Sequence, residues 1–474
     1  MNHEEIPSGQ PMMTKIQETS KNISFKIFIT VFILIVFHTA PNGSQSDRYI
    51  VATRSLVDYG TFALQSGMSN PIDTVKINDN LYSVIAPGLP ILFAPIYYLN
   101  HVIMNAIGIP LGEVFWAFFH FFTNIFIMAP VVSFAAVAMF NTLKHLTDRI
   151  SKQLLLVFIF VFGSLAFFYA TNGIWVHAYT MSFVFIAFSL IIAQKNNFFV
   201  GVLLGLAQVI DYVAILPIFW ILGFWVYKVR KLTPKYFIRE LFLVSFGYSI
   251  FLVALLYYNY AITGSAFQTP NSLFLQYAQQ QGSEIKSMFS LPSIASLWGL
   301  SFSPYRGIFL YFPMTFLFVF SLVKKYFDRE KIVLFSYLFV GFTFLFNSTY
   351  YAWSGDSCFG PRHLVMAIPF IILPIANCQN KIIKIVGLIS IFVNLAGVST
   401  VPSNNILTNI VMFLYRGLFL QWLDFIYKII LPRYFNINLY LVTPFFLYVL
   451  VGFLIYMIWR PVLQSIAQNK ILTT

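Results

Sequence analysis

The chain has 474 residues and a formal net charge of +13; 59% of its residues are hydrophobic and only 9% are charged. A soluble domain has about a quarter charged residues and is about half apolar, so a water-soluble enzyme and a disordered chain are both excluded. The basic residues lie in short clusters between apolar runs, a pattern typical of membrane-protein loops rather than of nucleic-acid binding. We therefore expect an all-α polytopic membrane protein that contacts membrane lipids and binds no nucleic acid.

The apolar runs predict about 12 transmembrane helices, each of about 17–25 residues. The polar stretch 1–24 is too long to begin a cleaved signal peptide, so we predict a cytoplasmic tail there. A transmembrane domain over 25–459 and a second cytoplasmic tail over 460–474 follow. The short runs at 198–211 and 212–228 fit either two spans or a re-entrant hairpin. The predicted spans are 25–41, 113–142, 154–170, 178–193, 198–211, 212–228, 238–260, 306–323, 332–348, 363–378, 382–400 and 440–459.

The apolar run at 87–106 is predicted to be a juxtamembrane helix on the membrane surface. If it crossed the bilayer, Lys144, Arg149 and Lys152 would lie outside the cell, against the bias of basic residues toward the cytoplasm. With the surface placement, both termini are cytoplasmic in a multi-pass inner (plasma) membrane protein, and the longer loops are periplasmic. These loops are 42–112, 261–305, 349–362 and 401–439, the last carrying a predicted interfacial helix at 407–431.

The first predicted periplasmic loop begins with an acid and an arginine at the membrane boundary. The carboxylate of Asp47 could accept a proton from an incoming hydroxyl. The guanidinium of Arg48 could hold a phosphate through paired donors. A plain surface ion pair is the alternative. Asp73 and Asp79 in the same loop are candidates to orient an acceptor, or are solvated loop acids.

Further cations stand at the outer ends of later spans. Arg306 follows the sequence SPY and Arg362 follows FGP, so both are candidates for phosphate binding, with snorkelling to lipid headgroups as the alternative. His177 and His363 are candidates to add hydrogen-bond donors, or are structural. Trp353 is a candidate to stack on a sugar or a prenyl chain, or belongs to an interfacial aromatic belt.

Two more acids are less informative. Asp356 is expected to pair with Arg362 inside its loop, a structural rather than a chemical role. Asp211 interrupts the apolar stretch LAQVIDYVAIL, and an acid within a membrane indicates function. The predicted topology places Asp211 at an outer turn, which weakens that inference.

Several segments together resemble one enzyme family. SDRY, LVDYGTF and DTVKINDNLYSVIAPGLPILFAPIYY are similar to the first periplasmic loop of bacterial type-C (GT-C) glycosyltransferases. These are relatives of the protein O-mannosyltransferases and of the lipid A aminoarabinose transferase. YNYAITGSAFQTP, LSFSPYRGIFLYFP and YAWSGDSCFGPRHLVMAIPFIILPIA resemble later outer span ends of that family. The resemblance implies a GT-C-like bundle in which Asp47 is the base and Tyr82 belongs to the matched Tyr-Ser motif.

The resemblance further implies the reaction. A sugar would be transferred with inversion from a polyprenyl-phosphate donor to a glycan, lipid or protein acceptor on the periplasmic face. Local positive charge would stabilise the phosphate that leaves. The chain departs from the family at Ser46, where many relatives have a second acid, at His177 in place of an acid, and at Ile85 in place of a basic residue. No cofactor is therefore predicted with certainty: a divalent metal is left open, and no residue is assigned as a metal ligand.

Two other functional classes are left as alternatives. A transporter or flippase for lipid-linked sugars would show internal repeats and charges at mid-membrane, and the sequence shows neither clearly. An O-antigen-type polymerase or ligase would have its largest outer loop late in the chain, whereas here the first outer loop is the largest.

Overall fold

The computed structural model describes residues 10–41, 47–65, 73–280, 287–323, 331–355, 358–400, 405–438 and 442–471. Most of these residues are helical, and a small sheet lies between the second and third helices. The elements are α1 (Gln10–Phe37), α2 (Asp47–Tyr59), β1 (Ala63–Leu64), β2 (Thr74–Ile77), β3 (Asn80–Ser83), α3 (Gly88–Ala106), α4 (Glu113–Thr123), α5 (Ala129–Leu143), α6 (Ile150–Phe162), α7 (Leu165–Thr171), α8 (Val176–Ile192), α9 (Asn197–Ile210), α10 (Ile215–Val229), α11 (Pro234–Thr263), α12 (Pro270–Gln280), α13 (Ile294–Ser301), α14 (Ile308–Tyr311), α15 (Met314–Val323), α16 (Lys331–Thr349), α17 (Ile368–Ile375), α18 (Asn380–Val398), α19 (Ile406–Arg416), α20 (Gln421–Phe425) and α21 (Pro444–Ile471).

Four further segments continue neighbouring helices with a different winding. Tyr212–Ala214 and Arg362–Ala367 are 3₁₀ turns that lead into α10 and α17. Asn124–Met128 joins α4 to α5 as a π-helix, and Ile426–Phe435 continues α20 in the same way. The 3₁₀ turns matter most, because both lie at the candidate site described below.

Six helices in the described part of the chain are long and apolar enough to cross a membrane, or up to eight if each of two bent pairs counts as one span. The six match predicted spans. The bent pair α6 and α7 matches the predicted span 154–170, and four shorter apolar helices match the runs at 25–41, 178–193, 198–211 and 363–378. The predicted span 306–323 is instead divided into α14 and α15. By length and composition these helices are compatible with a multi-pass membrane protein, and the count of twelve stays a prediction.

Helix α3 corresponds to the predicted juxtamembrane helix. It packs against α2 and α4, and its buried face includes Phe93, Tyr97 and Met104. The opposite face is also apolar but exposed, with Ile91 and Tyr98 among its residues. An apolar face turned away from the protein is what a helix lying in a membrane interface would present.

The small sheet corrects the expectation of an entirely α-helical chain. Strands β2 and β3 pair antiparallel with Ile77 opposite Asn80, and β1 adds to the other side of β3. The two residues between the strands, Asn78 and Asp79, both have positive φ (49° and 63°). Type I′ hairpin turns require this conformation, and Asn and Asp tolerate it better than most residues.

Glycines bring α9 and α11 into close contact. A Cβ at Gly201 would lie 2.1 Å from the carbonyl oxygen of Val244, and one at Gly247 would lie 2.3 Å from that of Phe198. Gly205, four residues after Gly201, packs against the Phe251 side chain, whose Cδ2 would lie 2.9 Å from a Cβ there. Small residues at this spacing let two helix backbones approach closely, as membrane helices commonly do. This contact between α9 and α11 at Gly201, Gly205 and Gly247, the glycine seam, fixes the end of α9, which borders the candidate site.

Candidate functional site

A cavity of about 330 Å³ lies at one end of the helical bundle. It is formed where α2, α8, the 3₁₀ turn before α10 and the segment Arg362–Ala367 begin, and where α9 and α16 end. Its charged residues and several polar ones come from these helix ends: Arg48, His177, Asp211, Asn347, Tyr350, Arg362 and His363.

Apolar side chains form much of the rest of the cavity wall. Phe342 and Phe346 of α16 lie up to two helical turns before the end of that helix, which is roughly 10 Å at the usual rise per residue. Leu216, Pro217 and Met366 lie about one turn after the 3₁₀ segments at Tyr212 and Arg362 begin. The cavity therefore combines a charged region at the helix ends with an apolar region deeper in the bundle.

Arg48 is the second residue of α2, and only 15% of its side chain is exposed. Its Nη1 donates a hydrogen bond to the carboxylate of Asp73, the residue just before β2. Its guanidinium lies 5.3 Å from the centre of the Tyr49 ring. The predicted phosphate-binding Arg48 is thus at the cavity, and the predicted supporting acid Asp73 is its ion-pair partner.

Arg362, His363 and His177 form a second cationic and aromatic group. The rings of His177 and His363 are 5.4 Å apart between centroids, and the Arg362 guanidinium lies 5.7 Å from the Trp175 ring. Gly355, with φ of +71°, passes next to this arginine: a Cβ there would lie 2.8 Å from the Nε of Arg362. A side chain at that position would push the guanidinium away, so the glycine makes room for it.

Asp211 is the acidic residue of the cavity wall among the described side chains. It lies in the turn between α9 and α10, and its Oδ1 accepts a hydrogen bond from the N–H of Val213 at 3.0 Å. Burial raises the pKa of its carboxyl, while the Val213 N–H and the charges of Arg48 and Arg362 act in the opposite direction. The net result is a carboxylate that holds its proton more tightly than an exposed one.

A close backbone contact fixes the position of that turn. A Cβ at Gly88, the first residue of α3, would lie 2.5 Å from the carbonyl oxygen of Val209. Only glycine allows the start of α3 to pack directly on the end of α9. The preceding residues Ile85 and Ala86 consequently reach the cavity wall beside Asp211.

Arg306 does not line the cavity, and its surroundings argue against the predicted phosphate contact. It is fully buried. Its Nε donates to the carbonyl of Ser354 at 2.6 Å, and its Nη1 donates to the carbonyl of Tyr305 at 2.7 Å. The guanidinium also lies 3.9 Å from the centre of the Tyr305 ring. Backbone carbonyls rather than a ligand therefore bind this charge. These hydrogen bonds connect the turn before Arg362 to the start of α14.

Trp353, predicted to stack on a sugar or prenyl chain, also lies outside the cavity wall. Its ring packs so closely over Gly299 that a Cβ there would lie 2.2 Å from a ring atom. Asp79 is in the hairpin turn, where its side chain is 96% exposed and pairs with Lys76 at 2.9 Å. Tyr82 is half-buried in β3, opposite Ala63 and Val75. None of the three predicted residues faces the cavity.

Two predicted residues are not characterised by the structure. Asp47 begins α2 next to Arg48, but its side chain lies outside the described part of the chain. Asp356 lies outside the described residues altogether. For metal binding, the described residues contain no group of three or more His, Cys, Asp or Glu residues placed to hold an ion.

The structure also adds residues to the site. Asp211 carried a signal in the sequence, as an isolated acid in an apolar stretch. Asn347 and Tyr350 carried none, because neutral polar residues near the end of a span are common. Asn347 is only 4% exposed, and its Nδ2 has no hydrogen-bond partner among the described residues. A buried amide without a partner is rare in a folded protein and points to a ligand or water.

Comparison with known proteins adds no relative. No protein-family model, no curated protein and no solved structure matches this chain.

Proposed function

We propose that this chain is an inverting membrane glycosyltransferase with a GT-C-like bundle of about 12 transmembrane helices. It transfers a sugar from a polyprenyl-phosphate donor to a glycan, lipid or protein acceptor on the periplasmic face of the inner membrane. The observation that supports this most is the divided cavity, with Arg48, Arg362 and two histidines at the helix ends and apolar residues deeper in the bundle. A phosphate joined to a prenyl chain is likewise charged at one end and apolar along the rest of its length.

In the proposed reaction, Asp47 takes the proton of the acceptor hydroxyl. The acceptor oxygen attacks the anomeric carbon from the side opposite the phosphate, and the bond between that carbon and the phosphate oxygen breaks. Polyprenyl phosphate leaves with the electron pair of that bond. Arg48 and Arg362 stabilise the charge that develops on it, and a ring N–H of His177 can donate a hydrogen bond. His363 supports Arg362 instead, because its Nε2 accepts from the Nε of Arg362 at 3.5 Å.

Turnover of a purified Asp47→Asn variant tests this assignment. The protein is reconstituted in nanodiscs with undecaprenyl-phosphate mannose, glucose or galactose and with envelope extract as acceptor, and release of undecaprenyl phosphate is measured. Loss of a general base should lower turnover at least about 100-fold while donor binding is retained.

The matched control is Asp148→Asn, an exposed acid in the loop between α5 and α6 at the far end of the bundle. It should keep normal turnover. Near-normal turnover of Asp47→Asn would show that another group is the base. Absence of sugar transfer by the unmodified protein from all three donors would reject the proposed reaction for these sugars.

A transporter of lipid-linked sugars is the second candidate. It is favoured by the two bent helix pairs, α6 with α7 (53°) and α19 with α20 and its extension to Phe435 (62°), since broken helices are typical of transporter sites. Movement of the donor across a liposome membrane without sugar transfer would favour this candidate over the enzyme.

A further inference from the structure

Asp211 is held rigidly at the cavity wall. Its main-chain N–H donates to the carbonyl of Ala207 at 3.0 Å, its carbonyl accepts from Ala214 at 3.0 Å, and its Oδ1 accepts from Val213. The next residue, Tyr212, is fixed as well, because its hydroxyl donates to the Oδ1 of Asn259 at 3.1 Å. Since the turn is tied on both sides, the carboxylate has a set position next to the cavity.

Asn347 reaches the same cavity from another element, the last turn of α16. Its Nδ2 has no hydrogen-bond partner among the described residues although the residue is buried. Such a group costs free energy unless a ligand or water satisfies it. The cavity wall therefore includes a strong acceptor, Asp211, and the amide of Asn347, whose Nδ2 has no hydrogen-bond partner among the described residues.

We propose that Asp211 and Asn347 bind hydroxyl groups of the donor sugar. A hydroxyl donates one hydrogen bond and accepts others, so it matches a carboxylate together with an amide N–H. The phosphate needs neither group, because Arg48 and Arg362 supply its positive partners. This inference rests on the proposed function, since it takes the cavity to be the donor site, and it defines the donor as carrying a hydroxylated sugar rather than a bare lipid phosphate.

The test compares the binding of undecaprenyl phosphate with that of its mannosyl, glucosyl and galactosyl esters to the full-length protein in nanodiscs. Asp211→Asn keeps the side-chain oxygen that accepts from Val213, because Asn caps a turn as well as Asp does. Asn347→Leu removes the amide and keeps the number and branching of the side-chain heavy atoms, with methyl groups in place of the oxygen and nitrogen. Each variant should weaken binding of at least one sugar ester about tenfold relative to binding of undecaprenyl phosphate.

Two controls separate this role from others. Arg362→Gln should weaken binding of undecaprenyl phosphate and of the sugar esters alike, and Asp148→Asn should weaken neither. Because Nδ2 of Asn347 has no hydrogen-bond partner among the described residues, Asn347→Leu should also keep or raise the melting temperature while it loses sugar binding. A merely structural Asn347 would give a lower melting temperature instead.

These binding measurements test the sugar-binding role of Asp211 and Asn347 separately from the proposed transfer reaction. The inference is overturned if Asp211→Asn and Asn347→Leu weaken the binding of both kinds of ligand equally, or weaken neither. It is also overturned if the wild-type protein binds the sugar esters no better than undecaprenyl phosphate. Sugar-selective binding that the two variants lose, in a protein that transfers no sugar, would reject the proposed reaction and leave the inference standing.

Discussion

Arg306 and Arg362 each follow a proline-containing motif at the start of a helical segment, yet their surroundings differ. Arg306 is fully buried and bonded to the carbonyls of Tyr305 and Ser354, whereas Arg362 lines the cavity beside His363. Similar local sequence therefore leads to two different surroundings: Arg306 holds a turn, and Arg362 faces the cavity.

Matched variants separate these roles. Arg306→Gln removes a buried charge together with its hydrogen bonds, and it should lower the free energy of unfolding by about 2–3 kcal/mol. The affinity of the folded protein for a lipid phosphate should change little. Arg362→Gln should weaken undecaprenyl phosphate binding about tenfold or more, with a smaller loss of stability. Thermal unfolding and lipid binding measure the two effects. The assignment is contradicted if Arg306→Gln weakens binding more than Arg362→Gln does.

The pH dependence of sugar binding follows from Asp211. Burial raises the pKa of this carboxyl, so on acidification it is protonated at a higher pH than an exposed aspartate, whose pKa is about 3.9. Arg48 and Arg362 stay charged over this range. We expect the advantage of the sugar esters over undecaprenyl phosphate to fall as the pH falls through the raised pKa. The Asp211→Asn variant should lack that step, and an identical step in it would assign the step to another group.

The sequence predicted four cavity residues, Arg48, His177, Arg362 and His363, because a charged residue at the end of an apolar run can be recognised from the sequence alone. It could not predict that Arg306 is enclosed by carbonyls or that Trp353 packs on Gly299, since both contacts join residues distant in the chain. Asn347 was missed because a neutral amide gives no signal until its lack of a partner is seen.

The close packing of α9 and α11 is a property of whole helices. The spacing Gly201-x-x-x-Gly205 is a sequence signal for close helix contact, but its partner Gly247 is identified only by the structure. The hairpin gives a second example. Asn78 and Asp79 stand between two segments of alternating apolar and polar residues and so indicate a turn, whereas the pairing of β1 with β3 depends on the tertiary fold.

Alanine substitutions in this seam should separate the helices. Gly201→Ala and Gly247→Ala each place a Cβ about 2 Å from a backbone carbonyl, which a rotamer change cannot relieve. Each should lower the free energy of unfolding by about 1–3 kcal/mol. Gly223→Ala in α10 is the matched control, because no atom lies within 4 Å of its Cβ position. Equal melting temperatures for all three variants would show that the seam adapts without cost.

For the molecule as a whole, the proposed orientation places the hairpin outside the cell and the loop between α8 and α9 inside. The two native cysteines, Cys358 and Cys378, are free but buried, so they should react little with a maleimide. Asn80→Cys in the hairpin should therefore be labelled by a membrane-impermeant maleimide in intact spheroplasts. Lys195→Cys, exposed between α8 and α9, should be labelled only after permeabilisation. The reverse pattern would invert the topology and place the cavity at the cytoplasmic face.

The ion pair between Arg48 and Asp73 connects the cavity to the surface sheet. In the proposed function, a bound phosphate would bring a second anion to a guanidinium whose Nη1 already donates to Asp73. Occupation of the cavity and the position of the strand that follows Asp73 would then depend on the same arginine.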